Sequence, residues 1–263
     1  MASTKMRLDQ AVAEAGLVDS RSRARALILA GDVLVNGAPV LQASKPIATT
    51  DDVSLRVKPR FVSRGGDKLD HALAAFDVDV SGDRCADLGA STGGFTDCLL
   101  QRGAAHVTAV DVGYGQIDVR LRDDERVTVI ERVNVRYPLD DLHELDLVVI
   151  DVSFISLNLI YPTTATVLRH GGRCVPLIKP QFEVGKGEVG KGGVVREPAM
   201  HRRVVDQALG QASAHGLRPV DLTRSPVVGP AGNIEFLALL VKGGDAVETD
   251  RSTLLKRAGL NDA

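Results

Sequence analysis

The chain has no tryptophan, and its aromatic rings are confined to six Phe and three Tyr among 263 residues. So few rings exclude extensive base stacking, leaving backbone and shape contacts to dominate any nucleic-acid recognition. The three cysteines, Cys85, Cys98 and Cys174, are odd in number and contain no C-x-x-C pair. Neither a disulfide framework nor a zinc site is indicated. The six histidines are scattered without metal-ligand spacing, so no metal is expected. No apolar run approaches the roughly 18–20 residues that span a bilayer. The opening Met1-Ala2-Ser3-Thr4-Lys5-Met6-Arg7 lacks the apolar core of a secretion signal. A cytoplasmic protein without stable membrane association is expected.

The hydrophobic fraction, 44%, is ordinary for a folded chain, and the length suits one ample α/β domain with a small companion. The net charge of −2 hides an asymmetry. Residues 1–60 hold 9 Lys and Arg against 6 Asp and Glu, a balance of +3; the remainder holds 23 against 28, a balance of −5. The basic excess at the start points to a nucleic-acid contact there.

Periodicity divides the chain in the same way. Leu8, Val12 and Ala15 recur at helical spacing, and Gly16 closes the run. Ser20 is placed to cap a second helix that carries Arg21 and Arg25 on one side and Ala24, Leu27 and Ile28 on the other, with Gly31 at its end. Val33-Leu34-Val35 followed by Asn36-Gly37 is a hairpin signal, and a further strand is expected over 53–57. Residues 59–66, with a proline, two glycines, Arg60 and Arg64, read as a linker. Strands are then predicted at 85–88, 106–110, 127–130, 147–150, 175–178 and 234–241. Helices are predicted near 68–75, 95–100, 116–122, 157–169, 198–215 and 252–258. This alternation predicts a mostly parallel sheet with helices on both faces.

The segment Cys85-Ala86-Asp87-Leu88-Gly89-Ala90-Ser91-Thr92-Gly93-Gly94-Phe95 is a short strand, a run of small residues and a helix start. Small residues let a ligand approach the backbone, and the helix start offers free amides. About twenty residues on, Asp111 ends the next strand, where an acidic group commonly takes a ribose hydroxyl pair. Nicotinamide enzymes share this geometry, but the spacing fails the strict G-x-G-x-x-G form. Asp87 just before the glycines would repel a pyrophosphate and attract the ammonium of a methionine-derived ligand. S-adenosylmethionine is therefore the expected cofactor. A second stretch, Gly185-Lys186-Gly187-Glu188-Val189-Gly190-Lys191-Gly192, imitates a phosphate-binding loop but has Gly192 where Ser or Thr would hold magnesium. It reads as a loop flanking the site, with Lys186, Lys191 and Arg196 available to phosphates.

Four charges on separate segments stand out. Asp151 follows Leu147-Val148-Val149-Ile150, Lys179 follows Val175-Pro176-Leu177-Ile178, Glu235 interrupts Ile234-Phe236-Leu237, and Lys68 follows Arg64-Gly65-Gly66. Chemistry in open α/β sheets gathers at the carboxyl ends of strands, and a charge there is costly unless paired or used. Alternating cations and anions at one edge would neutralise each other.

The runs Val62-Ser63-Arg64-Gly65-Gly66-Asp67-Lys68-Leu69, Gly89-Ala90-Ser91-Thr92-Gly93-Gly94-Phe95-Thr96, Asp111-Val112-Gly113-Tyr114, Asp151-Val152-Ser153-Phe154-Ile155-Ser156-Leu157, Lys179-Pro180-Gln181-Phe182-Glu183 and Gly232-Asn233-Ile234-Glu235-Phe236 together resemble the TlyA family. These are haemolysin-named ribosomal RNA 2′-O-methyltransferases related to FtsJ. The resemblance implies a Rossmann-like S-adenosylmethionine-dependent methyltransferase domain over 67–263. It also implies a small α+β RNA-binding domain of the ribosomal S-four type over 1–59, joined by a linker over 60–66. It implies a catalytic set of Lys68, Asp151, Lys179 and Glu235. The implied cofactor contacts are Asp87, Gly89, Ala90, Ser91, Thr92, Gly93, Gly94, Phe95, Asp111 and Asp151. RNA contacts are implied at Arg7, Arg21, Arg23, Arg25 and Arg64. The implied reaction is methyl transfer to a ribose 2′-hydroxyl of cytidine in small- or large-subunit rRNA. Lys179 would activate the hydroxyl, as proton acceptor or by orienting it and stabilising oxyanion character. The chain departs at the linker from those members of the family that have Arg-x-Trp-Val there, reading Pro59-Arg60-Phe61-Val62 instead. Two other classes stand beside this reading: a noncatalytic ribosome-binding or assembly factor, and a membrane-acting haemolysin suggested by the family's historical name.

Overall fold

The computed structural model describes residues 5–56, 59–185, 188, 190, 192–229, 231–243 and 249–261. Val57 of the expected strand and Lys186 and Lys191 of the second glycine stretch lie outside them. The chain forms two compact units, 1–59 and 60–263.

In the smaller unit β1 (Lys5–Arg7) leads into α1 (Leu8–Glu14) and α2 (Arg21–Ala30). The Ser20 hydroxyl accepts the Arg23 amide, and Gly31 closes α2 in the left-handed region. β2 (Val33–Val35) and β3 (Ala38–Pro39) form the hairpin. Asn36 and Gly37 both have positive φ there, 50° and 78°, as a type I′ turn requires. β4 (Pro46–Ala48) pairs with β1, and β5 (Val53–Leu55) pairs with β2. Leu8, Val12, Ala24, Ile28 and Val33 are fully buried between helices and strands. Burial of each large side chain contributes about 1.5–3 kcal/mol.

The larger unit opens with α3 (Arg64–Ala75), then β6 (Arg84–Leu88), α4 (Gly94–Gln101), β7 (His106–Asp111), α5 (Val119–Arg122) and β8 (Val127–Glu131). β9 (Leu145–Ile150), a 3₁₀ turn (Leu157–Leu159), α6 (Tyr161–Val167), β10 (Leu168–Ile178) and α7 (Pro180–Glu183) follow. The chain ends with α8 (Pro198–Ala214), β11 (Leu217–Arg224), β12 (Phe236–Lys242) and α9 (Arg251–Arg257). The seven strands lie in the order β11-β12-β10-β9-β6-β7-β8. β10, β9, β6, β7 and β8 are mutually parallel, while β12 runs antiparallel to both β10 and β11. Both faces are covered. Along β9, Leu147 and Val149 enter the core beneath α3 and α4, and Val148 and Ile150 enter the core beneath α6 and α8. A strand buried on both sides reads as an unbroken apolar run.

Three expectations change. Residues 60–66 are packed into the larger unit: Phe61 and Val62 are buried, and the Val62 amide donates to Asp97 Oδ2 at 2.8 Å. The helix expected from Lys68 begins four residues earlier, at Arg64, and Gly66 within it lies where a Cβ would come within 2.2 Å of the Phe61 ring. These glycines therefore serve close packing. The single helix expected over 157–169 is a 3₁₀ turn and a shorter helix, and Leu168 and Arg169 begin β10. β-branched Thr163, Thr164, Thr166 and Val167 weaken the helix end.

Candidate active site

Strand order reverses between β6 and β9, and the crevice at their carboxyl ends is where open α/β sheets take ligands. The loop from β6 to α4 lines a cavity of about 220 Å³ there, together with Lys68 and Asp151. Two glycines make the loop possible. Gly89 has φ +90°, and a Cβ on it would lie 2.7 Å from the Asp151 carbonyl oxygen; a Cβ on Gly94 would lie 2.2 Å from Ser63 Oγ. Of the ten residues expected at the cofactor, eight line this cavity; Gly93 and Asp111 do not. Gly93 faces away, its α-carbon packed against Leu121 and Ile117. Asp111 secures the loop instead: Oδ2 accepts the Ser91 amide at 2.8 Å and Oδ1 the Gly113 amide at 2.7 Å.

Asp87 is fully buried at the base of the cavity. Its Oδ2 accepts both the amide and the hydroxyl of Thr96, at 2.9 and 2.7 Å, whereas Oδ1 is buried without a partner. Burial raises its pKa to about 7, against the lowering hydrogen bonds from Thr96, and the Asp151 and Asp111 charges add to the rise. An orphaned carboxylate oxygen at a cavity wall is costly unless a donor arrives. A ligand ammonium would satisfy it, so the residues present fit S-adenosylmethionine.

The four outstanding charges form two ion pairs. Lys68 Nζ donates to Glu235 Oε2 at 2.5 Å, with side chains 10% and 2% exposed. Lys179 Nζ lies 2.6 Å from Asp151 Oδ1 and donates to Ser153 Oγ at 2.9 Å. The reversed direction of β12 brings Glu235 to this edge: Phe236 pairs with Ile178, so the residues before and after them are neighbours. Glu235 precedes the strand rather than lying inside it, as the sequence had suggested. Of these four charges the cavity meets Lys68 and Asp151, each paired with an opposite charge that flanks β12 or β10. Pairing compensates the several kcal/mol that desolvating each ion costs.

Sequence reasoning assigned no chemistry to the loop after Asp151. Phe154 is 90% exposed and holds φ +64°, a conformation that costs a bulky residue about 1–3 kcal/mol. Its ring lies 4.9 Å from that of Phe182, over which the Lys179 ammonium sits at 5.8 Å. Glu183 pins this loop, accepting the Ser156 hydroxyl at 2.6 Å and the Leu157 amide at 2.8 Å. An exposed ring beside the charged edge offers a stacking face to a base. The only signal in the sequence was an aromatic within Asp151-Val152-Ser153-Phe154.

In the smaller unit, Arg7, Arg21 and Arg25 converge on fully buried Asp9 while remaining about half exposed. Arg23 is partly buried on the same helix, and Arg64 belongs to the larger unit, exposed at the start of α3 and at the cavity wall.

Comparison with known proteins agrees with this architecture. The model of FtsJ-like methyltransferases matches residues 61–242, and that of the S4 domain matches residues 6–53. The 16S/23S rRNA (cytidine-2′-O)-methyltransferase TlyA of Mycobacterium tuberculosis is 43% identical, covering 98% of this chain and 96% of that one. The solved structure of a haemolysin-named protein from Streptococcus thermophilus superposes with TM-score 0.77 at 41% identity, covering 97% and 95%. A Listeria monocytogenes protein designated an S-adenosylmethionine-dependent methyltransferase, 13% identical, shares the fold with TM-score 0.53 over 69% of this chain and 100% of its own. Among the described residues, no helix is long and apolar enough to cross a membrane. The chain belongs to the FtsJ-like methyltransferase family and, by its full-length match, to the TlyA group within it.

Proposed function

We propose that the protein transfers a methyl group from S-adenosylmethionine to the ribose 2′-hydroxyl of cytidine in ribosomal RNA, working in the cytoplasm on ribosomal subunits. The observation that carries this reading is the juxtaposition of two lysine–carboxylate pairs, one buried and one partly buried, with a glycine-cradled cavity whose base holds an unpartnered carboxylate oxygen. When bound, S-adenosylmethionine supplies an electrophilic methyl group on a sulfonium. Asp87 Oδ1 would take the ammonium of its methionine portion, and the small residues of 89–94 would admit the rest close to the backbone. Asp111 lies outside the cavity lining but adjoins it through Ser91, whose amide it accepts, and it would keep lone pairs for ribose hydroxyls.

Lys179, held between Asp151 and Ser153, would orient the RNA hydroxyl and stabilise negative charge on its oxygen as the hydroxyl proton leaves to water. Lys68, anchored by Glu235, keeps a cation at the cavity wall. The principal task of these side chains would be to fix the hydroxyl in position against the methyl donor. The S4 domain and its arginines support RNA as the substrate class. The 16S/23S activity of the Mycobacterium tuberculosis relative supports ribosomal RNA.

Incubating the purified chain with methyl-labelled S-adenosylmethionine and isolated small and large subunits tests the reading. Label on a ribose 2′-oxygen is expected, and mapping identifies the subunit and nucleotide. Tight binding to subunits without label supports the noncatalytic assembly role and contradicts this one.

A further inference from the structure

Arg7, Arg21 and Arg25 come from three places in the sequence yet share one anion. Arg7 ends β1 and grips Asp9 with two bonds, Nε to Oδ1 and Nη2 to Oδ2, both at 3.0 Å. Arg21 Nη2 reaches Oδ1 at 3.2 Å, and Arg25 Nε reaches Oδ2 at 2.8 Å. Residues 21 and 25 are one helical turn apart, so both project from the same face of α2. Asp9 lies in the first turn of α1, where a carboxylate is favoured by the helix dipole, and its amide donates to the Ala43 carbonyl at 3.0 Å. The Arg7 hydrogen bond leads the effects that hold the carboxyl well below the usual range, outweighing the opposing effect of burial. The anion therefore persists at any physiological pH.

The exposures are unequal. Asp9 is 0% exposed, while the three arginine side chains are 45%, 50% and 54% exposed. Three cations around one anion leave a net +2, and each guanidinium has five N–H donors, more than Asp9 uses. Burial requires the Asp9 oxygens to be paired, but Arg7 alone bonds both, so the two further cations exceed what that pairing needs. Holding long, rotamer-rich side chains in place before a polyanion arrives removes an ordering cost from binding.

We propose that Asp9 is a positioning residue for RNA: a buried carboxylate that holds Arg7, Arg21 and Arg25 as one preassembled phosphate-binding fork. This rests on the RNA-substrate reading above and adds a residue whose own charge is repulsive to RNA.

That repulsion gives the test its sign. Asp9→Asn in the full chain adds one unit of positive charge, so charge alone predicts tighter binding to ribosomal subunits. Preassembly predicts the reverse: binding about tenfold weaker, from the cost of ordering the released side chains. The salt slope stays unchanged, since the same arginines still reach phosphates. KM for subunits rises while kcat at saturation holds. Glu14→Gln, an exposed position on the same helix, adds the same charge without touching the cluster and should bind slightly tighter. Equal or tighter binding by Asp9→Asn overturns the inference, and so does a slope that falls together with affinity, which marks lost contacts. Wild-type protein that fails to bind subunits overturns the RNA reading itself. A second measurement needs no variant: side-chain ¹⁵N relaxation of wild-type protein should show Arg7 and Arg25 Nε–H groups ordered before RNA is added. Free averaging of both overturns preassembly even if Asp9→Asn does not fold.

Discussion

Two charge clusters in this molecule are built on opposite plans. In the smaller unit one buried anion, Asp9, gathers cations that remain about half exposed. At the sheet edge each buried lysine has its own carboxylate, and all four side chains are at most 24% exposed. The difference lies in where the cation points. Half-exposed guanidinium groups suit long-range attraction and phosphate contact, where each interaction is modest and additive. Sequestered ammonium groups are strengthened by the low-dielectric surroundings and act only on what reaches the sheet edge. The first arrangement binds a polyanion, and the second positions one oxygen.

The comparison breaks most readily at Glu235. Glu235→Ala leaves Lys68 buried without its partner, so a loss of about 3–5 kcal/mol of stability is expected together with loss of turnover. Arg25→Ala removes a half-exposed partner of Asp9 and should cost about 1 kcal/mol or less. Denaturant melts of both variants check the contrast; equal costs contradict it.

Lys179→Ala should fold and bind both substrates yet lose about 10²–10³-fold in single-turnover rate, because its interaction strengthens only as charge develops on the hydroxyl. Lys179→Arg keeps the cation but is effectively never neutral. Substantial activity in Lys179→Arg supports charge stabilisation and excludes lysine as the proton acceptor.

Asp87 links the cavity to pH. An ammonium binds the ionised carboxylate, and in the cofactor-free protein that form is filled only above a pKa of about 7. Affinity for S-adenosylmethionine should therefore fall about tenfold between about pH 8 and about pH 6. Stability runs the other way. The folded protein retains this proton up to about 7, while the unfolded chain releases it near 3.8. The contribution of Asp87 is thus full below the lower value and lost as pH rises through the upper. Asp87→Asn should bind the cofactor weakly and remove its share of both pH dependences, read by calorimetry and thermal melts.

The smallest effect concerns Phe154. Phe154→Gly relieves the left-handed strain and should stabilise the fold by about 1 kcal/mol while weakening RNA use, since a base loses its stacking face. A stabilised variant with an unchanged KM for subunits would remove Phe154 from the RNA-facing surface.

Legibility in the sequence followed how local the cause was. Strands such as β9 were visible, over 147–150, because burial on both faces writes a continuous apolar run, and Asp151 and Lys179 were visible as the charges that end such runs. Asn36-Gly37 declared its hairpin because few residues tolerate two successive positive φ values. Arg64-Gly65-Gly66 looked like a linker because glycine is ambiguous alone; only the Phe61 ring packed against Gly66 shows why it lies in a helix. The pairing of Lys68 with Glu235 spans 167 positions and depends on the antiparallel course of β12. The gathering of arginines on Asp9 was hidden for the same reason, since its burial is set by packing between elements.

The most direct measurement is methyl transfer from labelled S-adenosylmethionine to purified ribosomal subunits, with the product mapped at nucleotide resolution for wild type and Lys179→Ala in parallel. The account predicts label at a cytidine 2′-oxygen in wild type and a loss of about 10²–10³-fold in the variant, with cofactor affinity retained. Label on a base, or equal transfer by Lys179→Ala, would contradict it.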